Sequence, residues 1–159
     1  MAYARHPRVT PPTLEHALSR QAAQFSVVTP TATVGEALQQ LLANSADALV
    51  VRDDQDLRGI FSNHDFARFA AQGGSITQPV RDAMSACAAR AAPQDPVEEW
   101  LAKAKGSGEF FLPVIADGQL LGLLTRADLL AESDAHHRRV FQEMVLDERI
   151  MFRRGTYSC

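Results

Sequence analysis

Two short stretches of the sequence place a hydroxyl side chain three residues before an aspartate. They are GIFSNHDF at residues 59–66, the first motif, and GLLTRADL at residues 122–129, the second motif. This spacing is typical of the box that caps a helix N-terminus, where unpaired backbone N–H groups attract phosphate. A carboxylate accepts two hydrogen bonds and donates none, which suits the two hydroxyls of a ribose. Each motif is therefore either a helix cap or a contact to a phosphorylated sugar.

The two motifs end a duplicated segment of the chain. Residues 30–66 align with residues 93–129 without a gap, and ordinary composition would give roughly two or three identical pairs over this length. The sequence has ten: Pro30/Pro93, Val34/Val97, Glu36/Glu99, Leu38/Leu101, Leu49/Leu112, Val51/Val114, Asp54/Asp117, Leu57/Leu120, Gly59/Gly122 and Asp65/Asp128.

Each copy predicts a short strand, a helix, two strands around a turn, and a second helix that begins at the motif. Thr33 and Glu36 have the capping-box spacing at the first helix. In the second copy we expect Asp95 as the N-cap, with Pro96 at the first helical position. Since a unit of this size buries its apolar face poorly alone, the two should pack face to face through three-stranded sheets. The residues expected to be buried are Val34, Leu38, Leu49, Val51, Leu101, Leu112, Val114 and Leu123.

The predicted fold class is α/β (α+β): two β-α-β-β-α units in pseudo-twofold symmetry, with extra helices at both ends. We assign residues 1–24 to an N-terminal helical extension, 25–72 to the first unit and 73–79 to a linker. Residues 80–133 form the second unit, and 134–159 form an amphipathic helix and tail.

The tail helix carries an apolar stripe that packs either on its own module or on a second subunit. We expect a homodimer. The stripe consists of Val140, Phe141, Met144, Val145, Met151 and Phe152.

Over residues 25–133 the chain resembles a tandem pair of cystathionine β-synthase (CBS) domains, also called a Bateman module. The resemblance rests on the two units, on their apolar strands, and on a motif of Gly, two apolar residues, Ser or Thr, two variable residues and Asp. VRDAMS at residues 80–85 resembles the usual lead-in to such a motif. The resemblance implies a non-catalytic regulatory module that binds AMP, ADP, ATP, NAD or S-adenosylmethionine between its units. Such a module would signal to a separate, unknown protein target in trans.

The resemblance also implies which residues contact the nucleotide. Asp65 and Asp128 would accept from the ribose hydroxyls, Ser62 and Thr125 would donate to phosphate, and the backbone near Ser26 and Ala89 would meet the adenine. Apolar walls would come from Ala48 in the first unit and from Phe110, Phe111 and Pro113 in the second.

The chemistry next to each motif hydroxyl differs between the units. Arg126 offers phosphate a planar, charge-assisted contact, whereas the first unit has Asn63 and His64 there. His64 can still contribute to a phosphate contact. We expect the second site to hold phosphate more tightly.

Composition excludes several other classes of function. The formal net charge of −3 gives no electrostatic reason to expect nucleic acid or an anionic membrane as a partner. No stretch has the length of a membrane span, the N-terminus lacks the apolar region of a signal peptide, and two cysteines suit a reducing compartment. We therefore expect a cytoplasmic protein.

We expect neither a metal nor catalysis. The residues Asp54, Asp56, Gly59 and Asp65 fit a calcium-loop frame, but Arg58 occupies a ligand position. No nucleophilic triad, phosphate-binding loop or zinc spacing is present in the sequence. A ligand-free dimeric scaffold for protein interaction stays the main alternative, and an enzyme that uses the cleft between the units is a third.

Overall fold

The computed structural model describes residues 10–20, 25–86, 89–106 and 110–154. Two units of mixed α and β structure follow each other along the chain. The helices are α1 (Leu14–Arg20), α2 (Val34–Ala43), α3 (Asn63–Ala71), α4 (Val97–Ala104) and α5 (Arg126–Arg154), with a 3₁₀ turn at Val80–Asp82. The strands are β1 (Val27–Val28), β2 (Ala48–Asp53), β3 (Asp56–Ser62), β4 (Ser85–Ala86), β5 (Phe111–Ala116) and β6 (Gln119–Thr125).

The strand registers show that the duplication extends to the backbone. β1 runs parallel to β2 with Val28 opposite Val51, and the bridge between Ala91 and Val114 lies 63 residues further on. The β2–β3 and β5–β6 hairpins change register at equivalent positions. Asp54 and Asp117 both adopt positive φ, of 51° and 52°, in the two turns. The helix, hairpin and helix of each predicted unit are thus confirmed.

The predicted three-stranded sheets are wrong. The first unit has a four-stranded sheet of order β1-β2-β3-β4, because the segment after the linker adds β4 beside β3. In the part of the second unit that the structure describes, the sheet is the β5–β6 hairpin, which Ala91 joins through a single bridge.

Each unit is completed by the segment that precedes the other one. Residues 78–85, which include VRDAMS, pack on the first unit, where Val80 N donates to Ala32 O. Residues 12–19 pack on the second unit, where Leu14 N donates to the equivalent Asp95 O. A side chain at Gly59 would overlap Ser85 O, and one at Gly122 would overlap Leu18. The glycine that begins each motif therefore lets the segment that completes its unit lie close to the hairpin.

In the part of the chain that the structure describes, the core consists of two apolar clusters, one in each unit. Of the residues expected to be buried, Leu38, Leu101 and Leu123 are only half-buried. The other five are buried: Val34, Leu49, Val51, Leu112 and Val114. Arg90 of the second unit donates to Leu57 O of the first, at 3.3 Å, and so connects the two.

The capping prediction is confirmed for α2 and wrong for α4. Thr33 and Glu36 form both bonds of the capping box. At α4 the N-cap is Pro96, with no side-chain cap, and the helix begins at Val97. Asp95 instead accepts from Ala92 N and from Trp100 Nε1, both at 3.1 Å, because its carboxylate turns toward the loop and the indole.

Helix α5 joins the helix of the second motif to the tail in one element of 29 residues. Its first half packs on α1 and α4 and includes Glu132, whose side chain is fully buried. Two arginines lie against this carboxylate. Arg20 of α1 is 2.6 Å from it, and Arg139, which follows seven residues later on α5, is 3.0 Å from it. In the described part of the chain no helix is both long and apolar enough to cross a membrane.

Candidate functional site

The two motifs lie at the end of each hairpin that is away from its turn. Ser62 is opposite Ala48 across the β2–β3 pair, and Thr125 is opposite Phe111 across the β5–β6 pair. In the first unit Val50 N donates to Ser26 O, which places Ser26 beside this end of β2. The fold therefore gathers the first-unit residues Ser26, Ala48 and Ser62 at one edge of their hairpin.

In the second motif, Thr125 and Asp128 cap the start of α5. Asp128 Oδ2 accepts from Thr125 N and Thr125 Oγ1, both at 2.8 Å, and Asp128 N donates to Thr125 Oγ1 at 3.3 Å. Asp128 is half-buried. The second motif therefore combines a helix N-terminus with a carboxylate that reaches the surface, the two features that a sugar phosphate needs.

In the first motif, Asp65 is buried, at 4% exposed. One oxygen, Oδ2, accepts from Ser62 N at 2.9 Å and from Ser62 Oγ at 3.0 Å. The other oxygen, Oδ1, accepts from Arg68 at 3.0 Å and from the hydroxyl of Ser85. We call Ser62, Asp65, Arg68 and Ser85 the Asp65 cluster. Both carboxylate oxygens of Asp65 are thus engaged inside the first unit.

The two residues predicted to assist a phosphate contact occupy different settings. The Arg126 guanidinium donates to Ala104 O at the end of α4, so it stabilises a helix C-terminus. His64 lies exposed on the first turn of α3. This bond uses one nitrogen of a guanidinium that has five N–H donors, so the phosphate contact of Arg126 stays a prediction.

A proline changes the backbone beside Ala89. Pro113 occupies the position of Val50, and a proline has no N–H to donate. The bond that Val50 N makes to Ser26 O therefore cannot form between Pro113 and Ala89. Strand pairing continues one step further on, where Ala91 N donates to Pro113 O at 3.0 Å and Ile115 N donates to Ala91 O at 2.8 Å. The carbonyl of Ala89 is left without this strand partner.

The remaining predicted wall residues surround the same end of the second hairpin. Pro113 is buried, and Phe110 and Phe111 are half-buried. Sequence reasoning did not identify Arg68 and Ser85. Arg68 lies three residues after Asp65, which is the spacing of an ion pair on a helix, so the sequence could have predicted this contact. Ser85 follows twenty residues later, and no local pattern indicates its contact.

Two cavities lie elsewhere on the first unit. One, of about 540 Å³, lies between β1 and α2, and the other, of about 420 Å³, lies beside Arg58 and Arg81. None of the predicted site residues lines either cavity. In the described ranges, no group of His, Cys, Asp or Glu side chains is arranged to hold a metal ion.

The structure thus has a duplicated α+β unit with a capped Ser/Thr-x-x-Asp motif in each copy. The family model for the CBS domain matches residues 22–72 and 80–135. The chain therefore belongs to the CBS domain family, as the resemblance of its two motifs indicated. A search of curated proteins found no match to this sequence.

Solved CBS structures share the fold. A CBS-domain containing protein from Agrobacterium tumefaciens is 28% identical with a TM-score of 0.68, and the match covers 76% of this chain and 98% of that one. A CBS domain protein from Pyrobaculum aerophilum, complexed with AMP, is 19% identical with a TM-score of 0.66, and the match covers 78% of this chain and 99% of that one. A CBS domain pair in complex with 5′-methylthioadenosine and S-adenosyl-L-methionine is 20% identical with a TM-score of 0.65, and the match covers 77% of this chain and 95% of that one.

Proposed function

We propose that the chain is a regulatory module that binds an adenosine nucleotide of the AMP, ADP, ATP or NAD type and signals to a protein partner in trans. The observation that carries the proposal is the second motif. It combines the capped N-terminus of α5 and the half-buried Asp128 with the backbone of Ala89, which lies two residues before the Ala91 bridge to β5. The ligand-free interaction scaffold is the alternative.

The chemistry of this arrangement matches the three parts of a nucleotide. The Asp128 carboxylate suits the ribose diol, and Thr125 with the start of α5 suits a phosphate. The Ala89 carbonyl, which Pro113 cannot engage, suits the exocyclic amine of adenine, while Phe110 and Phe111 provide apolar area for the base. The AMP complex of the Pyrobaculum aerophilum protein supports the same ligand class here.

We expect AMP, ADP, ATP or NAD to raise the melting temperature of the full chain. A ligand that binds only the folded state adds about 2.7 kcal/mol at 100 times its Kd. For a protein of this size, that corresponds to a rise of roughly 5–10 °C. Differential scanning fluorimetry with each nucleotide measures this rise, and GMP and CMP serve as matched controls. A melting temperature that none of the adenine nucleotides raises more than GMP does would contradict the proposal and favour the scaffold.

We also propose that the module is a homodimer that pairs through the C-terminal half of α5. None of residues 136–146 is buried, and Phe141, Met144 and Leu146 are each more than half exposed. Most of the stability of a helix in a protein comes from packing of its apolar face rather than from helix propensity. A second copy of the helix would cover this apolar surface.

The variant Phe141→Glu/Met144→Glu should sediment as a monomer at concentrations where the wild-type chain sediments as a dimer. The reason is that the two charges would face the apolar surface of the partner helix. Leu42→Glu is the matched control, since Leu42 is 81% exposed on α2 and should leave the dimer intact. A double variant that dimerises as tightly as the wild type in analytical ultracentrifugation would rule out this interface.

A further inference from the structure

The two motifs are not equivalent, and the difference determines how many nucleotides one chain can hold. We infer that each chain binds one nucleotide, in the second unit, and that the Asp65 cluster is instead a structural junction that fixes residues 78–85 onto the first unit. This inference rests on the proposed function and adds the location and the number of the sites.

The Asp65 carboxylate has no remaining capacity for a ribose. An ionised carboxylate accepts about four hydrogen bonds. Four donors already point at Asp65: Ser62 N and Ser62 Oγ at one oxygen, and Arg68 and the Ser85 hydroxyl at the other. At 4% exposure the side chain is also closed off from a ligand in solution. A ribose diol would have to displace both Arg68 and Ser85 from a buried anion, which is costly.

The same contacts explain what the cluster does for the fold. Ser85 belongs to β4, in the segment that completes the first unit, and its hydroxyl reaches Asp65 on α3. Arg68 lies close to both groups, 3.0 Å from Asp65 and 3.4 Å from Ser85. The cluster therefore ties α3 to β4 by charge-assisted hydrogen bonds, and β4 in turn pairs with β3 at Gly59 and Ile60.

The second unit provides an internal comparison on the same scaffold. The position of Arg68 corresponds to Ala131, which carries no charge. Ser85 lies in β4, whereas the segment that completes the second unit continues as α1, where the Ser19 hydroxyl donates to His16 O at 2.7 Å. Since the equivalent unit folds without the Arg68 and Ser85 contacts, the shared architecture does not require them. The two carboxylates also differ in exposure, since Asp128 is half-buried and Asp65 is buried.

The backbone carbonyls that would contact adenine also differ between the two units. In the first unit the carbonyl of Ser26 accepts from Val50 N at 2.9 Å, so strand pairing occupies the group that would read adenine. In the second unit Pro113 cannot make the corresponding bond to Ala89. The carboxylate and the backbone carbonyl are thus both committed to the fold in the first unit. This second difference is independent of the Asp65 cluster and favours the same site.

Isothermal titration calorimetry of AMP into the full chain, with the variant Asp65→Asn beside the wild type, tests the inference. We expect one AMP per chain for both proteins, with a Kd that differs by less than about twofold, since a group that does not touch the ligand contributes little to its affinity. The same variant should melt about 3 °C or more below the wild type, because it replaces the buried acceptor of charge-assisted hydrogen bonds from Arg68 and Ser85 by an amide. Should Asp65→Asn fail to fold, Ser85→Ala removes a single neutral donor and should give the same titration.

Two AMP per chain, or a Kd that rises tenfold in Asp65→Asn or Ser85→Ala, would overturn the inference and leave the proposed function standing. A wild-type chain that gives no heat with AMP, and whose melting temperature none of AMP, ADP, ATP or NAD raises more than GMP does, would overturn the proposed function, and the single-site inference with it. Asp65→Asn melting at the wild-type temperature would overturn the structural role of the Asp65 cluster.

Discussion

Asp128→Asn should weaken AMP binding by at least about tenfold, because hydrogen bonds to a charged group contribute roughly 1.5–3 kcal/mol each. Asparagine keeps the shape of aspartate and can still cap α5 through its oxygen. It replaces one of the two acceptor oxygens by an NH₂ group and so cannot accept both hydroxyls of a ribose. Isothermal titration calorimetry on the folded variant measures the loss.

Asp134→Asn is the matched control for the change of charge. It lies on the same helix as Asp128 and is exposed, and we expect its Kd for AMP to equal that of the wild type. The capping role of Asp128 also affects basal stability, so the binding constant, and not the melting temperature, is the deciding quantity. An unchanged Kd in Asp128→Asn would mean that the second motif is a helix cap and nothing more.

The largest expected effect on stability belongs to Arg20→Ala combined with Arg139→Ala. Together these changes leave the Glu132 carboxylate fully buried without its two cations. Breaking a buried ion pair costs about 3–5 kcal/mol, which corresponds to a fall in melting temperature of roughly 6–20 °C. Differential scanning calorimetry of the double variant measures the fall.

Two further variants separate the buried charge from lost packing. Arg138→Ala removes a neighbouring, exposed arginine and should change the free energy of unfolding by less than about 0.5 kcal/mol. Adding Glu132→Met to the double variant removes the unpaired charge and should recover most of the lost stability. A double variant as stable as Arg138→Ala would show that the carboxylate does not depend on these arginines.

Local patterns predicted the parts of the fold in which neighbours along the chain make the contacts. The capping boxes at Thr33, Ser62 and Thr125 join residues three apart, and the strands of each hairpin meet across a short turn. The duplication strengthened these predictions, because each element is written twice in the same frame. Asp95 shows the limit of the same reasoning, since a preference for N-cap positions did not outweigh its bonds to Ala92 and Trp100.

Contacts between segments that lie far apart along the chain could not be predicted from local sequence patterns. Residues 12–19 and 78–85 differ in most side chains, and only the structure shows that both make the same backbone bonds to opposite units. The fully buried Glu132 looked like an ordinary polar residue of an amphipathic helix, because its partner Arg20 belongs to another helix. The continuous α5 was likewise predicted as two helices, since no local feature distinguishes a break after residue 133 from a long helix.

The candidate site shows the same division. The pairing of hydroxyl and aspartate in each motif followed from spacing alone, whereas the burial of Asp65 depends on Ser85, which lies in a different segment. The sequence therefore identified both motifs and the difference between Arg126 and His64 beside them, whereas the difference in burial between Asp65 and Asp128 comes from packing.

A crystal structure of the chain with AMP tests the central claim most directly. The account predicts one nucleotide per chain, with its ribose hydroxyls on the Asp128 carboxylate, its adenine amine on the Ala89 carbonyl, and Asp65 still bound to Arg68 and Ser85. A nucleotide whose ribose lies on Asp65, or a second motif left empty at saturating AMP, would contradict it.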